Sequence, residues 1–122
     1  MKISVIIASY NYAQYIEEAI NSVIHQTYSD WELIIADDGS DDATKELIGQ
    51  FQESTHLTLR YLSQQNKGPG AARNLGMENA IGDYFIFIDS DCTVDKNWLA
   101  EIDNVVRNVE VDSKPVPAAH TS

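Results

Sequence analysis

The 122-residue chain holds one cysteine, Cys92, few basic residues and no long apolar run. A single cysteine excludes an internal disulfide and fits a reducing compartment, where it is expected as a small buried thiol. Lys and Arg number 8 against 19 Asp and Glu, a formal net charge of -11. That charge repels nucleic-acid backbones and anionic membrane surfaces inside the Debye length, so neither is expected as a direct partner. A phosphate-bearing ligand would need a divalent cation between it and the protein's acids. No stretch approaches the roughly 20 apolar residues that span a bilayer, and Met1-Lys2-Ile3-Ser4 enters a strand pattern without the apolar core of a signal peptide. The expected address is cytoplasmic, with peripheral association at the inner face of the cell membrane as the alternative. His25, His56 and His120 share no spacing of a metal site or a triad and read as structural or solvent-facing. Internal repeats and low-complexity tracts are also absent.

What remains is a regular alternation of strand and helix patterns. Ile3 to Ala8 is a buried strand broken only by Ser4; Ile16, Ala19, Ile20, Val23 and Ile24 then form the stripe of a helix over Ala13 to Gln26, with Asn11 as its N-cap. Trp31 to Ala36 is a second strand, followed by a helix with Ala43, Leu47, Ile48 and Phe51 on one face and Ser40 or Asp41 as its cap. Leu57 to Leu62 alternates enough to predict a less buried third strand. A helix over Ala71 to Ala80, the very apolar strand Tyr84 to Ile88, and a helix from about Asn97 to Val109 complete the pattern. In that last helix Trp98, Leu99, Ile102, Val105, Val106 and Val109 are expected to face inward. Such alternation predicts an α/β fold, a mostly parallel Rossmann-like sheet flanked by helices on both faces. Residues 1–109 form the domain in this reading, and 110–122, with two prolines and no periodicity, an extended or disordered tail. The last strand is expected to leave an unpaired sheet edge.

In a parallel sheet the strand-to-helix loops share one edge, so residues spread widely along the chain converge there. Asp89-Ser90-Asp91 closes the most apolar strand, and carboxylates two residues apart can reach one hard cation, Mg2+ or Mn2+. Asp37-Asp38-Gly39-Ser40 closes another, where an acid can accept from an imide N-H such as that of uracil; the same residues also make an ordinary turn. Tyr10 lies where it can stack on a base. Arg73 sits early in a helix, where a cation opposes the helix dipole, and the amides of Gly68 to Ala71 are open to an anionic or carbonyl-rich ligand.

Together, Val5-Ile6-Ile7-Ala8-Ser9-Tyr10-Asn11, Trp31 to Ser40, Asn66-Lys67-Gly68-Pro69-Gly70-Ala71-Ala72-Arg73-Asn74 and Asp89-Ser90-Asp91 closely resemble the family 2 glycosyltransferases of GT-A fold. The resemblance covers about residues 1 to 109, with four motifs in order and register. It implies a nucleotide-sugar site of Ala8, Tyr10, Asp37, Asp38, Arg73, Asp89 and Ser90. Within it Tyr10 lies against the base, Asp38 on the uracil edge, Arg73 near base or ribose and Asp89 toward the ribose. Asp91, with Asp89, holds the metal that bridges the diphosphate. It further implies transfer from a nucleotide-diphosphate sugar, in the first place a UDP-sugar, to a hydroxyl of a carbohydrate or glycolipid acceptor with inversion, as in polysaccharide biosynthesis.

Two departures stand out. Ala8 replaces the proline common at the end of the family's first strand, and the acceptor-binding half that follows the D-x-D in the family has no counterpart here. The catalytic base is therefore expected beyond residue 122, and the chain is expected to be a donor-binding half. Asp89-Ser90-Asp91 also resembles the first motif of haloacid-dehalogenase-like phosphatases, but that motif opens its fold and needs a later Lys. A phospho-receiver domain would need a strand-terminal Lys that neither Lys96 nor Lys114 supplies. A catalytically silent nucleotide-sugar-binding module is the remaining alternative.

Overall fold

Apolar residues without a break can only be buried on both faces, and the three strands richest in them take the middle of the sheet. The computed structural model describes residues 1–54, 58–110 and 119–120. Its strands are β1 (Ile3–Ser9), β2 (Trp31–Asp37), β3 (Leu59–Ser63), β4 (Tyr84–Asp89) and the two-residue β5 (Ala119–His120), ordered β3-β2-β1-β4-β5 and all parallel. Every residue of β2 is buried, whereas β3 is half-buried as its alternation predicts. The helices are α1 (Ala13–Ile24), α2 (Thr44–Ser54), α3 (Pro69–Asn79) and α4 (Trp98–Glu110).

Side-chain alternation divides the core in two. Ile3, Val5 and Ile7 of β1 and Leu33 and Ile35 of β2 join Ile16 and Ile20 of α1, Ile48 of α2 and Leu99 and Val106 of α4. On the other face Ile6, Ile34 and Phe87 pack with Met77 near the end of α3. Gly76 lets α3 lie close on β1, because a Cβ there would stand 2.5 Å from Ile6 Cγ2. Glu32 is a fully buried charge on this face, and it is compensated. It accepts from Ser4 Oγ (2.6 Å), the Ile81 amide (2.7 Å) and Arg60 Nη1 (2.9 Å), bonds that outweigh its burial and hold its carboxyl below the usual value.

Several sequence expectations change. Val105 is 60 % exposed, since α4 turns it away from the stripe that buries Leu99 and Val106. Ala43 is exposed because it precedes the first turn of α2. Cys92 is exposed, lying in the loop beyond β4 rather than in the core. Asn11 does not cap α1; it takes a left-handed φ of 54°, a conformation asparagine tolerates, and Tyr12 occupies the cap position. Neither Ser40 nor Asp41 caps α2, whose first amide, Thr44 N, goes to Asp42 Oδ1 at 3.0 Å. Helix α3 begins at Pro69, a residue suited to a first turn. Leu57 and His56 lie outside the described residues, as does most of the expected tail; Ala119–His120 lies beside β4, so that edge is paired at Ile86 and Phe87.

Candidate functional site

From β1 the chain steps outward through β2 to β3 and then returns to the other side of β1 as β4. Where the direction reverses, the loops beyond the carboxyl ends of neighbouring strands part and leave a crevice, the usual ligand position of such sheets. A hollow of about 510 Å³ opens there. Ala8 and Tyr10 line it from β1 and its loop, Asp38 from β2, Arg73 from α3, and Asp89, Ser90 and Asp91 from the end of β4. Seven of the eight residues singled out in the sequence thus share one hollow, the exception being Asp37.

Register explains the exception. Asp37 pairs with Ser9 and continues the alternation of Trp31, Leu33 and Ile35, so its side chain falls on the α1 side and is 1 % exposed. There it accepts from the Ser40 amide at 3.2 Å, from Ser40 Oγ and from Tyr61 OH. Burial, with the Asp37 bond and charge, pushes the Tyr61 phenol well above its ordinary value and keeps it a donor. Asp38, one residue on, points to the hollow. Gly39, at φ 81°, completes the turn; a Cβ there would meet Gln64 O at 3.0 Å.

The Asp38 carboxylate is held by three donors. Oδ1 accepts from Lys67 N (2.7 Å) and Gln64 Nε2 (2.8 Å), and Oδ2 from Gly68 N (3.0 Å). Burial opposes its charge, but these bonds prevail and hold the carboxyl below the usual range. One amide of the Gly68 to Ala71 segment, Gly68 N, is therefore spent on Asp38 rather than left open to a ligand. A carboxylate offers about four acceptor directions, so one remains, on Oδ2.

The base of the hollow is tied to a second loop. Asn11 N donates to Ser40 Oγ (2.8 Å) and Asp41 N donates to Asn11 Oδ1 (2.9 Å). Asp42 Oδ2 accepts from Ala13 N at 3.1 Å, capping α1 from the loop that starts α2. This cross-lacing holds Tyr10 and Tyr12 beside Asp38. Both rings are 43 % exposed, and Tyr12 meets Tyr15 edge to face with centroids 5.9 Å apart. Tyr12, Asn66, Pro69 and Ala72 also line the hollow and were not foreseen. Asn66, Pro69 and Ala72 carried a signal as members of the motif from Asn66 to Asn74, and Tyr12 as a second tyrosine two residues beyond Tyr10.

At the β4 end Arg73 Nη2 stands 3.9 Å from Asp89 Oδ1, with both side chains about two-fifths exposed. An ion pair so exposed and so long is weak and leaves both groups available. One carboxylate oxygen each of Asp89 and Asp91 and Cys92 Sγ all lie within 4.8 Å of one another, close enough for one ion to bridge. The oxygens suit a hard cation with its open side toward the hollow. The thiol does not, because sulfur is a soft ligand and Mg2+ and Mn2+ prefer carboxylate and water oxygens. The residues present thus fit Mg2+ or Mn2+ held by oxygen. Among the described residues no helix is long and apolar enough to cross a membrane.

The model of the family described as Glycosyl transferase family 2 matches residues 4–110. An uncharacterized glycosyltransferase of Nostoc sp. is 43 % identical over 111 residues, covering 91 % of this chain and 34 % of the relative. The crystal structure of Staphylococcus aureus TarS 1-349 in complex with UDP superposes with a TM-score of 0.81 at 31 % identity, covering 88 % of this chain and 32 % of that one. The mannosyltransferase PcManGT of Pyrobaculum calidifontis in complex with GDP-Man and Mn2+ gives 0.75 at 27 % identity, covering 80 % and 30 %. The chain therefore spans about a third of the length of these proteins.

Proposed function

Since this chain belongs to glycosyl transferase family 2, we propose that its hollow binds a nucleotide-diphosphate sugar, in the first place a UDP-sugar, and that residues 1–109 are the donor-binding half of a transferase. The observation that carries this reading is the meeting of Tyr10, Asp38, Arg73, Asp89 and Asp91 around one hollow of about 510 Å³. Tyr10 offers a ring face to the base. Asp38 offers one acceptor direction, which matches the single imide N-H of uracil; guanine presents two donors side by side and would leave one unpaired. Arg73 reaches the base or ribose side, and Asp89 can accept from a ribose hydroxyl.

Asp91, with Asp89, would hold a divalent cation. Bound there, the cation supplies positive charge where the diphosphate leaves. The similar mannosyltransferase crystallised in complex with GDP-Man and Mn2+ supports the use of a divalent metal together with a nucleotide sugar. The acceptor in this reading is a hydroxyl of a carbohydrate or glycolipid, with inversion at the anomeric carbon and a base supplied outside the described residues.

Calorimetric titration with UDP and GDP, each with and without Mn2+, tests the proposal. UDP is expected to bind more tightly than GDP, Mn2+ to strengthen UDP binding, and Asp91→Ala to abolish the Mn2+ effect. Equal affinity for UDP and GDP would end the Asp38 argument; no binding of either would end the reading.

A further inference from the structure

The loop that follows the acids of β4 runs from Cys92 to Asn97 before α4 begins, and its bonds to the rest of the protein converge on the far end of α1. Gln26 is a polar side chain only 9 % exposed. Its Nε2 donates to Asp95 O at 2.6 Å and to Ser22 O at 3.0 Å, while its Oε1 accepts from Leu99 N at 2.9 Å. The orientation of the amide is fixed, because Leu99 N can only donate and the two carbonyls only accept. Next to it Thr27 N donates to Lys96 O at 2.8 Å, and Thr27 Oγ1 to Asn97 Oδ1 at 2.9 Å. Two adjacent residues thus grip four of the five residues from Asp95 to Leu99, across about seventy positions of sequence.

At the opposite end lies Asp91, an exposed carboxylate inside the turn closed by Cys92 N donating to Asp89 O at 3.0 Å. Val94, between the two anchored ends, packs on the main core. Helix α1 follows Tyr12 at the hollow and ends two residues before Gln26, so the loop after β4 runs from the hollow to the far end of that helix.

We infer that Gln26, with Thr27, is a positioning residue for the cation-binding acids: it fixes the loop after β4 and so holds Asp91 beside Asp89 without itself touching ligand. The inference rests on the proposed donor site. Gln26 also caps α4 from a neighbouring helix, satisfying an amide that would otherwise be left in the buried N-terminal turn.

The test compares the 122-residue chain with Gln26→Leu, which keeps the bulk and loses all three bonds, and with Thr27→Val, which loses only the hydroxyl bond to Asn97. Mn2+ is titrated at fixed UDP, and UDP alone is titrated without metal. In Gln26→Leu the apparent Mn2+ Kd is expected to rise about fivefold, less than the roughly 10- to 100-fold that follows loss of a group bonded directly to a ligand, because Gln26 acts through the loop. Metal-free UDP affinity should stay within twofold, and Thr27→Val should give a smaller rise of the same kind. A folded Gln26→Leu protein with unchanged Mn2+ affinity would overturn the inference, as would equal weakening of metal-free UDP binding. Hydrogen exchange of the ligand-free proteins separates this failure from failure of the donor reading. The clamp predicts faster exchange in Gln26→Leu confined to residues 92–99, and an unchanged rate there overturns it even if the wild-type protein binds no nucleotide.

Discussion

At the residue scale, Asp38 and Asp91 are both acids of the hollow but differ in what they do for the fold. Asp38 satisfies three donors, two of them backbone amides. Asp38→Ala leaves those donors without their partner, and urea unfolding should show a loss of about 1–3 kcal/mol, the usual cost of stranded buried polar groups. Asp91 is exposed, and among the described residues it forms no ion pair. Asp91→Ala should therefore stay within about 0.5 kcal/mol of the parent in the same experiment while losing the Mn2+ effect. The sequence made both acids visible as strand-tip carboxylates. It did not separate Asp37 from Asp38, although the alternation of Trp31, Leu33 and Ile35 already assigns odd positions to the buried face. Tyr61, the partner that makes Asp37 structural, comes from β3 and is brought near only by the pairing of Ile35 with Tyr61. Cys92 was misjudged because a lone thiol is usually buried, and nothing local shows that this one lies past the strand end.

At the scale of elements, strand and helix identities were legible because the apolar periods are clean, and the boundaries shifted only by a few residues. Capping was not legible. The residue that caps α1 from outside, Asp42, lies 29 positions away beside α2, and Gln26, just past the end of α1, caps α4. Such long-range caps follow from loops sharing one sheet edge and have no sequence signature. Helix α3 carries a sharper prediction. Gly76→Ala would ordinarily favour a helix by about 1 kcal/mol. Here the added carbon meets Ile6 Cγ2 at 2.5 Å, inside a sheet strand that cannot retreat. Thermal and urea unfolding should show a net loss of about 1–3 kcal/mol, the usual cost of overpacking.

At the scale of the whole molecule, ionisation ties stability to pH at both ends. Asp38, Asp42, Asp103 and Glu32 all have carboxyls held below their ordinary values by hydrogen bonds that outweigh burial. A depressed folded pKa means stability is complete above the unfolded value and is lost as pH falls through the folded one. Tm should be nearly flat between about pH 5 and about pH 10 and fall below about pH 4, where unfolded carboxyls take up protons first. Tyr28, Tyr61 and Tyr84 are raised, chiefly by burial, so their contribution is complete below about pH 10 and is lost above it. A Tm that rose on acidification below pH 4 would contradict the carboxylate account.

The fold places the ends of β1, β2 and β4 around one hollow, and the proposed donor site there, with its cation held by Asp89 and Asp91, is tested most directly with paramagnetic Mn2+. Amide signals of the 122-residue chain should broaden in the presence of UDP and substoichiometric Mn2+, most strongly at Asp89 to Cys92 and then at Ala8 to Tyr10 and Arg73. The pattern should vanish in Asp91→Ala. Broadening centred on another part of the surface, or unchanged by Asp91→Ala, would contradict the account.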